Sequence, residues 1–340
     1  MANSAVSAKC KAVYGAFLKK SDYDSLIQRT SVSAVTAYLK SVSAYRDVFA
    51  EIDEASIHRG QLEQLLNEHI FRTYIRIRRF GSGGKNSITD FYIKKCEAEQ
   101  LIKLITAIAS GNRQSFYLGL PSYLMDYFSF DPVEALNCEN FRELAKILSR
   151  VRMYRPLVPY LEAEEPDINK CIIVINSCYL SWAFGVINRD FSRKKRETLK
   201  QFFLRKTDMD NIILCYRLKK YFNEGEERIR ELMIPFHYRV KPEDIDAALS
   251  SQNPTEALIK LLADRCIPEK IGIEESFPEL ATTRSHYEFF RHRLALTCDE
   301  TESLFSLVVL LETERTNLQK IIEGVRYGEQ PSEIEKLVII

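Results

Sequence analysis

The stretch Asp208-Met209-Asp210-Asn211-Ile212-Ile213 decides how this chain is interpreted, because two similar stretches occur elsewhere. They are Glu97-Ala98-Glu99-Gln100-Leu101-Ile102 and Glu314-Arg315-Thr316-Asn317-Leu318-Gln319. Each copy has an acidic residue, two spacers, an Asn or Gln, and an aliphatic residue. The amide positions 100, 211 and 317 are 111 and 106 residues apart. That length matches a small helical domain rather than a solenoid unit of about 20–50 residues. The sequence therefore predicts one helical module used three times.

A second pattern supports the repeat. Leu39 and Tyr45 match Leu148 and Tyr154 in spacing, and the tyrosines precede the amides at 100 and 211 by 55 and 57 residues. The third copy shows no corresponding tyrosine. Together with the Gly- and Pro-containing breaks, these patterns predict three domains, over residues 1–118, 119–238 and 239–340.

Helical periodicity dominates the chain. Apolar residues recur at the spacing of an amphipathic helix in three stretches, which lie around Leu62, Leu258 and Leu304. Only 12 glycines and 11 prolines are present, fewer than a many-stranded protein uses in its turns. The predicted fold class is all-α.

Composition limits the function classes. The 46% hydrophobic and 28% charged residues are those of a globular protein, and the net charge of +1 argues against nucleic-acid binding. Eight cysteines without a CxxC pair favour reduced thiols in a cytosolic protein, and the N-terminus shows no export signal. Residues 171–188 carry no charge, which is at the lower limit for a membrane span. Because Asn and Ser interrupt this stretch, we expect instead a helix that is buried on all sides.

No catalytic, cofactor or metal site is predicted. Gly84-Lys85 resembles the end of a phosphate-binding loop, but Arg79 and Asn86 break the pattern. The five histidines lack the spacing of metal ligands. Asp208 and Asp210 could hold magnesium only with a second carboxylate cluster, which is absent, so a helix N-cap is the preferred interpretation. The predicted structural anchors are the paired residues of the three copies: Glu97, Gln100, Asp208, Asn211, Glu314 and Asn317.

A basic stretch is the candidate contact with a partner. It comprises Arg193, Lys194, Lys195, Arg196, Arg205 and Lys206. Because Asp190 and Glu197 flank the first four, a solvated helix face is the simpler interpretation, and contact with an acidic partner is the alternative.

The ordered motifs resemble a known family. The stretch Lys206–Ile212, the C-terminal Asn317-Leu318 with Gly324-Val325-Arg326-Tyr327-Gly328, and the opening Tyr14-Gly15 resemble the C subunit of bacterial and archaeal V/A-type ATPases, which is named d in the eukaryotic vacuolar enzyme. The resemblance covers essentially the whole chain. Gln100 departs from the usual Asn, and segments associated with the eukaryotic form are absent.

This resemblance implies a mechanical part without an active site. In that family three helical domains with pseudo-threefold symmetry form a funnel on the membrane rotor ring of proteolipids. The funnel receives the foot of the shaft, which the D and F subunits form, and a protein of the membrane stator is a further possible partner. The implied location is the cytoplasmic face of the membrane. Two alternatives remain open: a helical adaptor unrelated to rotary ATPases, and an all-α metal-dependent enzyme.

Overall fold

The computed structural model describes residues 2–53, 59–81, 83–84, 86–113, 116, 119–274 and 277–340. These residues form helices and contain no strand, so the all-α prediction is confirmed. In chain order the α-helices are α1 (Ala2–Gly15), α2 (Lys20–Ile27), α3 (Val32–Ser41), α4 (Arg46–Phe49), α5 (Arg59–Arg78), α6 (Phe91–Ser110), α7 (Pro132–Leu136), α8 (Phe141–Ser149), α9 (Val158–Leu161), α10 (Ile168–Asp190), α11 (Arg193–Phe222), α12 (Glu226–Glu231), α13 (Pro242–Leu249), α14 (Pro254–Arg265), α15 (Pro278–Leu296), α16 (Glu300–Tyr327) and α17 (Pro331–Leu337). Short 3₁₀ turns lie at Ile88–Asp90, Ser122–Tyr127 and Arg155–Leu157.

The chain divides into two compact units. Unit 1 combines Met1–Gly83 with Thr283–Ile340, and unit 2 is the continuous stretch Gly84–Thr282. In unit 1, α16 packs against α1 and α5, and α17 packs against α16. In unit 2, α6 packs against α10, and α11 packs against α14.

Each unit is held by cores that contain one of the repeat helices. In unit 1 the core joins Leu18–Leu66 with Leu318–Val338. In unit 2, one core extends from Ala98 to Cys178 and a second from Met209 to Ala281. In unit 2 each core combines a repeat helix with the segment that follows it, whereas in unit 1 the core combines α16 mainly with residues from the beginning of the chain. These cores cross the boundaries proposed at 118/119 and 238/239, and the three-domain division stays a prediction.

Helix α10 corrects one expectation about the uncharged stretch. The sequence predicts burial on all sides, but only 39% of the most apolar 18-residue window of α10 is buried. Cys171, Ile175 and Cys178 point into the core, whereas Ser181 and Gly185 on another side are exposed. By length and composition α10 is the one helix in the described ranges that could cross a membrane. An apolar helix sequence therefore does not show which sides of the helix are buried by the rest of the same chain.

Two glycines near the end of α16 serve different purposes. Gly328 has a φ of 70° and ends the helix, with the N–H of Glu329 donating to the carbonyl of Gly324. Gly324 instead allows α17 to approach, because a Cβ there would lie 2.6 Å from Cγ1 of Ile334. Ile334 is itself buried at 2% exposure, so it has little room to move.

We expect Gly324→Ala to lower the free energy of unfolding of unit 1 by about 1–3 kcal/mol, because the added methyl overpacks the contact with Ile334. Thermal unfolding followed by circular dichroism measures this loss. Gly60→Ala is the matched control, since a Cβ at Gly60 in α5 meets nothing within 4 Å. Equal stability of the two variants would contradict the packing argument.

Candidate functional site

The repeat residues of unit 1 bind backbone groups from distant parts of the chain. Glu314 accepts hydrogen bonds from Leu18 N at 2.9 Å and from the hydroxyl of Tyr45 at 2.6 Å. Asn317 binds one residue at both of its backbone groups: its Nδ2 donates to Ile339 O at 2.5 Å, and its Oδ1 accepts from Ile339 N at 3.0 Å. These four bonds connect α16 to the residue that precedes α4 and to segments before α2 and after α17.

The second copy, in unit 2, has the same kind of amide contacts, and its acid is Asp instead of Glu. Asn211 donates to Ile234 O at 2.9 Å and accepts from Ile234 N at 3.0 Å. Asp208 accepts three backbone N–H bonds, from Tyr238 at 2.9 Å, Arg239 at 2.7 Å and Val240 at 3.2 Å. The bond from Val240 is buried, so the carboxylate satisfies a donor that water could not reach, whereas the bonds from Tyr238 and Arg239 are partly buried.

In the first copy the acid still binds a backbone N–H, but the amide does not repeat the paired backbone bonds of Asn211 and Asn317. Glu97 is 2% exposed and accepts a bond from Ser129 N at 2.5 Å, while Lys94 Nζ lies 3.3 Å away. Gln100 is buried, but its Oε1 has no hydrogen-bond partner in the described part of the chain. The departure of Gln100 from Asn is therefore accompanied by a structural difference.

The three helices also end alike. Gly111 after α6 has a φ of 70°, Asn223 after α11 a φ of 49° and Gly328 after α16 a φ of 70°. These left-handed C-caps follow the amide positions by 11, 12 and 11 residues. The repeat is thus present in contacts and helix ends as well as in sequence.

The prediction that Asp208 caps its own helix is wrong. Asp208 lies in the interior of the 30-residue α11, where backbone donors of another segment reach its carboxylate. Glu97 and Glu314 likewise lie within their helices rather than at the start. Asp210, the second acid of the supposed magnesium pair, forms an exposed ion pair with Lys206 at 2.6 Å.

The tyrosine pairing differs from the spacing argument. Tyr45 binds Glu314, which belongs to the last copy in the sequence. Tyr154 is fully buried, and this burial, followed by the neighbouring charge of Glu97, raises the pKa of its phenol well above the usual value. Tyr45 therefore bonds an acid other than the one in the next copy, and Tyr154 lies near the acid of the copy before it. Asp208 instead accepts from three backbone donors.

Burial dominates the electrostatics of these acids. It raises the pKa of Glu314 to about 7, although the bonds from Tyr45 and Leu18 oppose this change. It also raises the pKa of Asp208, against the effect of the three N–H donors. The described residues contain no group of three or more His, Cys, Asp or Glu that could hold a metal ion.

The basic candidates occupy α11 but differ in exposure. Arg193 and Lys194 are exposed in its first turn, and Arg196 donates to the carbonyl of Phe191 at 2.6 Å. Lys195 is half-buried. Arg205 is also half-buried, and this burial lowers the pKa of its guanidinium. The open basic surface is therefore the beginning of α11. Lys85, of the phosphate-loop-like Gly84-Lys85, lies outside the described residues.

The comparison with protein families agrees with this helical, repeat-built architecture. A family model described as ATP synthase (C/AC39) subunit matches residues 6–337. The chain belongs to this family. A comparison with curated proteins finds no match. Membership in the C/AC39 family confirms the resemblance to the V/A-type ATPase protein that is named C in bacteria and archaea and d in eukaryotes. This membership excludes the alternative that the chain is an adaptor unrelated to rotary ATPases.

Proposed function

We propose that this C/AC39 protein is a non-catalytic part of the central stalk that couples the shaft of the D and F subunits to the proteolipid ring. It acts as a peripheral part of the complex on the cytoplasmic face of the membrane, during ATP-driven ion transport or ATP synthesis. The observation that carries the proposal is the family match over residues 6–337.

The buried anchors support a part that transmits torque. A coupling element has to resist local opening, and segments held only by exposed backbone bonds open easily. Here the segments around Leu18, Ile234 and Ile339 are bound to long helices by buried carboxyl and amide groups. Force applied to one of these segments is therefore transferred directly to its helix.

Affinity capture tests this function. The tagged full chain is recovered from gently solubilised membranes, and the retained proteins are identified by mass spectrometry. Recovery of the D and F subunits together with the proteolipid is the expected result. Recovery of soluble partners alone, with the protein absent from membranes, would overturn the coupling role.

The start of α11 is proposed to meet acidic residues of the shaft or of the membrane stator. Exposed ion pairs contribute up to about 1 kcal/mol each, so we expect the charge reversals Lys194→Glu, Lys195→Glu and Arg196→Glu together to weaken assembly about tenfold. The loss should shrink as salt rises, because exposed charges are screened. Capture yields measured at two salt concentrations check both effects.

The control reverses Lys219 and Lys220, at the other end of the same helix. These two reversals change the net charge by four units, against six for the three at the start of α11, without touching the first turn. Equal assembly of the two variants with unchanged salt dependence would exclude a partner contact at Arg193–Arg196.

A further inference from the structure

Glu314 is a buried acid without a positively charged partner. It is 4% exposed and accepts hydrogen bonds from the Leu18 N–H and the Tyr45 hydroxyl, both of which are neutral donors. In the part of the chain that the structure describes, no Lys, Arg or His forms an ion pair with it. Because a buried carboxylate is normally paired with an opposite charge, Glu314 lacks a counterion.

The other two repeat acids differ from Glu314 in this respect. Glu97 lies 3.3 Å from Lys94 Nζ. The charge of His237 opposes the rise in the pKa of Asp208 that burial causes. The missing positive charge is therefore a property of the last copy and not of the repeat in general.

Glu314 also lines a cavity of about 210 Å³ within unit 1. The cavity lies between the end of α1, the segment before α2, and the helices α2, α15 and α16. A cavity of about 150 Å³ is large enough for benzene, so this one has room for a ligand of about six to eight non-hydrogen atoms.

Aromatic rings and phenol oxygens form much of the cavity wall. Tyr14, Phe17, Tyr23 and Tyr287 line it. The ring of Tyr14 packs edge-on against that of Phe17, with the centroids 5.1 Å apart, and the hydroxyls of Tyr14 and Tyr287 share a hydrogen bond. Tyr23 is 3% exposed, and its hydroxyl lies 3.4 Å from Asn317 Nδ2. Phenol oxygens accept hydrogen bonds and aromatic faces attract cations, so the wall suits a positively charged group.

Lys19 is the other charged residue among those described at the cavity. It is exposed, and its backbone N–H donates to the carboxylate of Asp22 at 2.7 Å. Its ammonium group forms no ion pair with Glu314 in the described ranges. The side chain of Lys19 therefore remains in water and does not neutralise the buried carboxylate.

We propose that this cavity binds a small primary alkylammonium ion, whose charge is neutralised by Glu314 and whose alkyl chain contacts Leu18 and Leu310. A primary ammonium fits better than a quaternary one, because the carboxylate and phenol oxygens are acceptors that need N–H donors. The two leucines supply apolar surface for the alkyl chain. The site goes beyond the stalk function and does not depend on it.

Isothermal titration calorimetry of the purified full chain with n-butylammonium chloride tests the site. The titration is made at about pH 8, because burial raises the pKa of Glu314 to about 7 and the carboxyl is ionised above that value. We expect saturable binding with a Kd of about 1 mM, since a ligand this small has few contacts to make. The uncharged 1-butanol has the same size and should bind at least about tenfold more weakly, a difference of about 1.4 kcal/mol.

Three variants separate the carboxylate from general damage. Glu314→Gln removes the charge but keeps a hydrogen-bond acceptor, and should weaken butylammonium binding at least about tenfold. Tyr287→Phe keeps the ring and removes one phenol oxygen, and should weaken it about threefold. Glu329→Gln is the matched control, since Glu329 is exposed beyond the end of α16, and it should bind like the wild type. Urea unfolding verifies that the variants keep the wild-type fold.

Three results would overturn the ammonium site. They are the absence of saturable binding to the wild type, equal binding of butylammonium and 1-butanol, and an unchanged affinity in folded Glu314→Gln. If Glu314→Gln does not fold, Tyr287→Phe and the comparison with 1-butanol decide. None of these results bears on the stalk function, because the titration contains no partner subunit.

Discussion

Replacing Asp208 with Ala should lower the free energy of unfolding of unit 2 by about 1–3 kcal/mol, because the truncation leaves the buried N–H of Val240 without its acceptor and an unpaired buried donor costs about that much. The carboxylate of Asp208, 3% exposed, accepts from Tyr238, Arg239 and Val240, and of these three bonds the one to Val240 is buried. Domains are stable by only about 5–15 kcal/mol, so this loss is large. Urea unfolding followed by the emission of Trp182, which lies in unit 2, measures it.

Asp210→Ala is the matched control for this prediction. Asp210 lies two residues further along α11, is exposed and pairs with Lys206, so its loss should cost less than about 0.5 kcal/mol. A magnesium-binding pair would predict similar consequences for both acids. Equal stability losses would therefore contradict the anchoring role of Asp208.

The sequence identifies the anchoring residues but not the groups that they bind. An acidic residue followed three positions later by an amide places both side chains on one side of a helix, which the structure uses at Asp208 and Asn211. The same pattern is typical of a helix start, and this favours the N-cap interpretation. Nothing in the local sequence specifies that the donors come from residues 238–240, because such contacts are set by tertiary packing.

The pairing of the tyrosines shows a second limit of spacing arguments. Tyr154 lies 54 positions before Asp208 and 57 positions after Glu97, so the distances alone allow either partner. The contact between Tyr45 and Glu314 connects residues 269 apart in sequence. It requires the first residues of the chain and the last repeat helix to fold together, as unit 1 does.

Burial of α10 could not be predicted from its composition. An uncharged helix has the same sequence signature whether its own chain, a partner or a lipid covers it. The interruptions at Asn176 and Ser177 indicate a buried core helix by sequence, but their side chains bond the carbonyls of Ile172 and Ile173 on the same helix. Local bonds of this kind leave the outer surface available.

The stability of unit 1 should decrease as pH rises from about 4.5 to about 7, by roughly 3 kcal/mol from Glu314 alone. The folded pKa of this carboxyl is raised to about 7 from its usual 4.5, chiefly by burial. Between these values the folded protein keeps a proton that the unfolded chain has released, so each pH unit disfavours folding. Below pH 4.5 both states are protonated, and the contribution of Glu314 is fully present.

Comparison with Glu314→Gln isolates this effect, because Gln does not titrate. Other groups near the site cancel in the difference, including His69, whose pKa burial lowers to about 4, and the charge of Asp22. Chemical unfolding at several pH values should show wild type losing stability relative to the variant across the window, and parallel curves would contradict the assignment. Tyr45→Phe removes a bond that lowers the pKa of Glu314, so the loss of stability should extend to higher pH. The buried acid therefore makes the attachment of Leu18 and Tyr45 to α16 dependent on pH near neutrality.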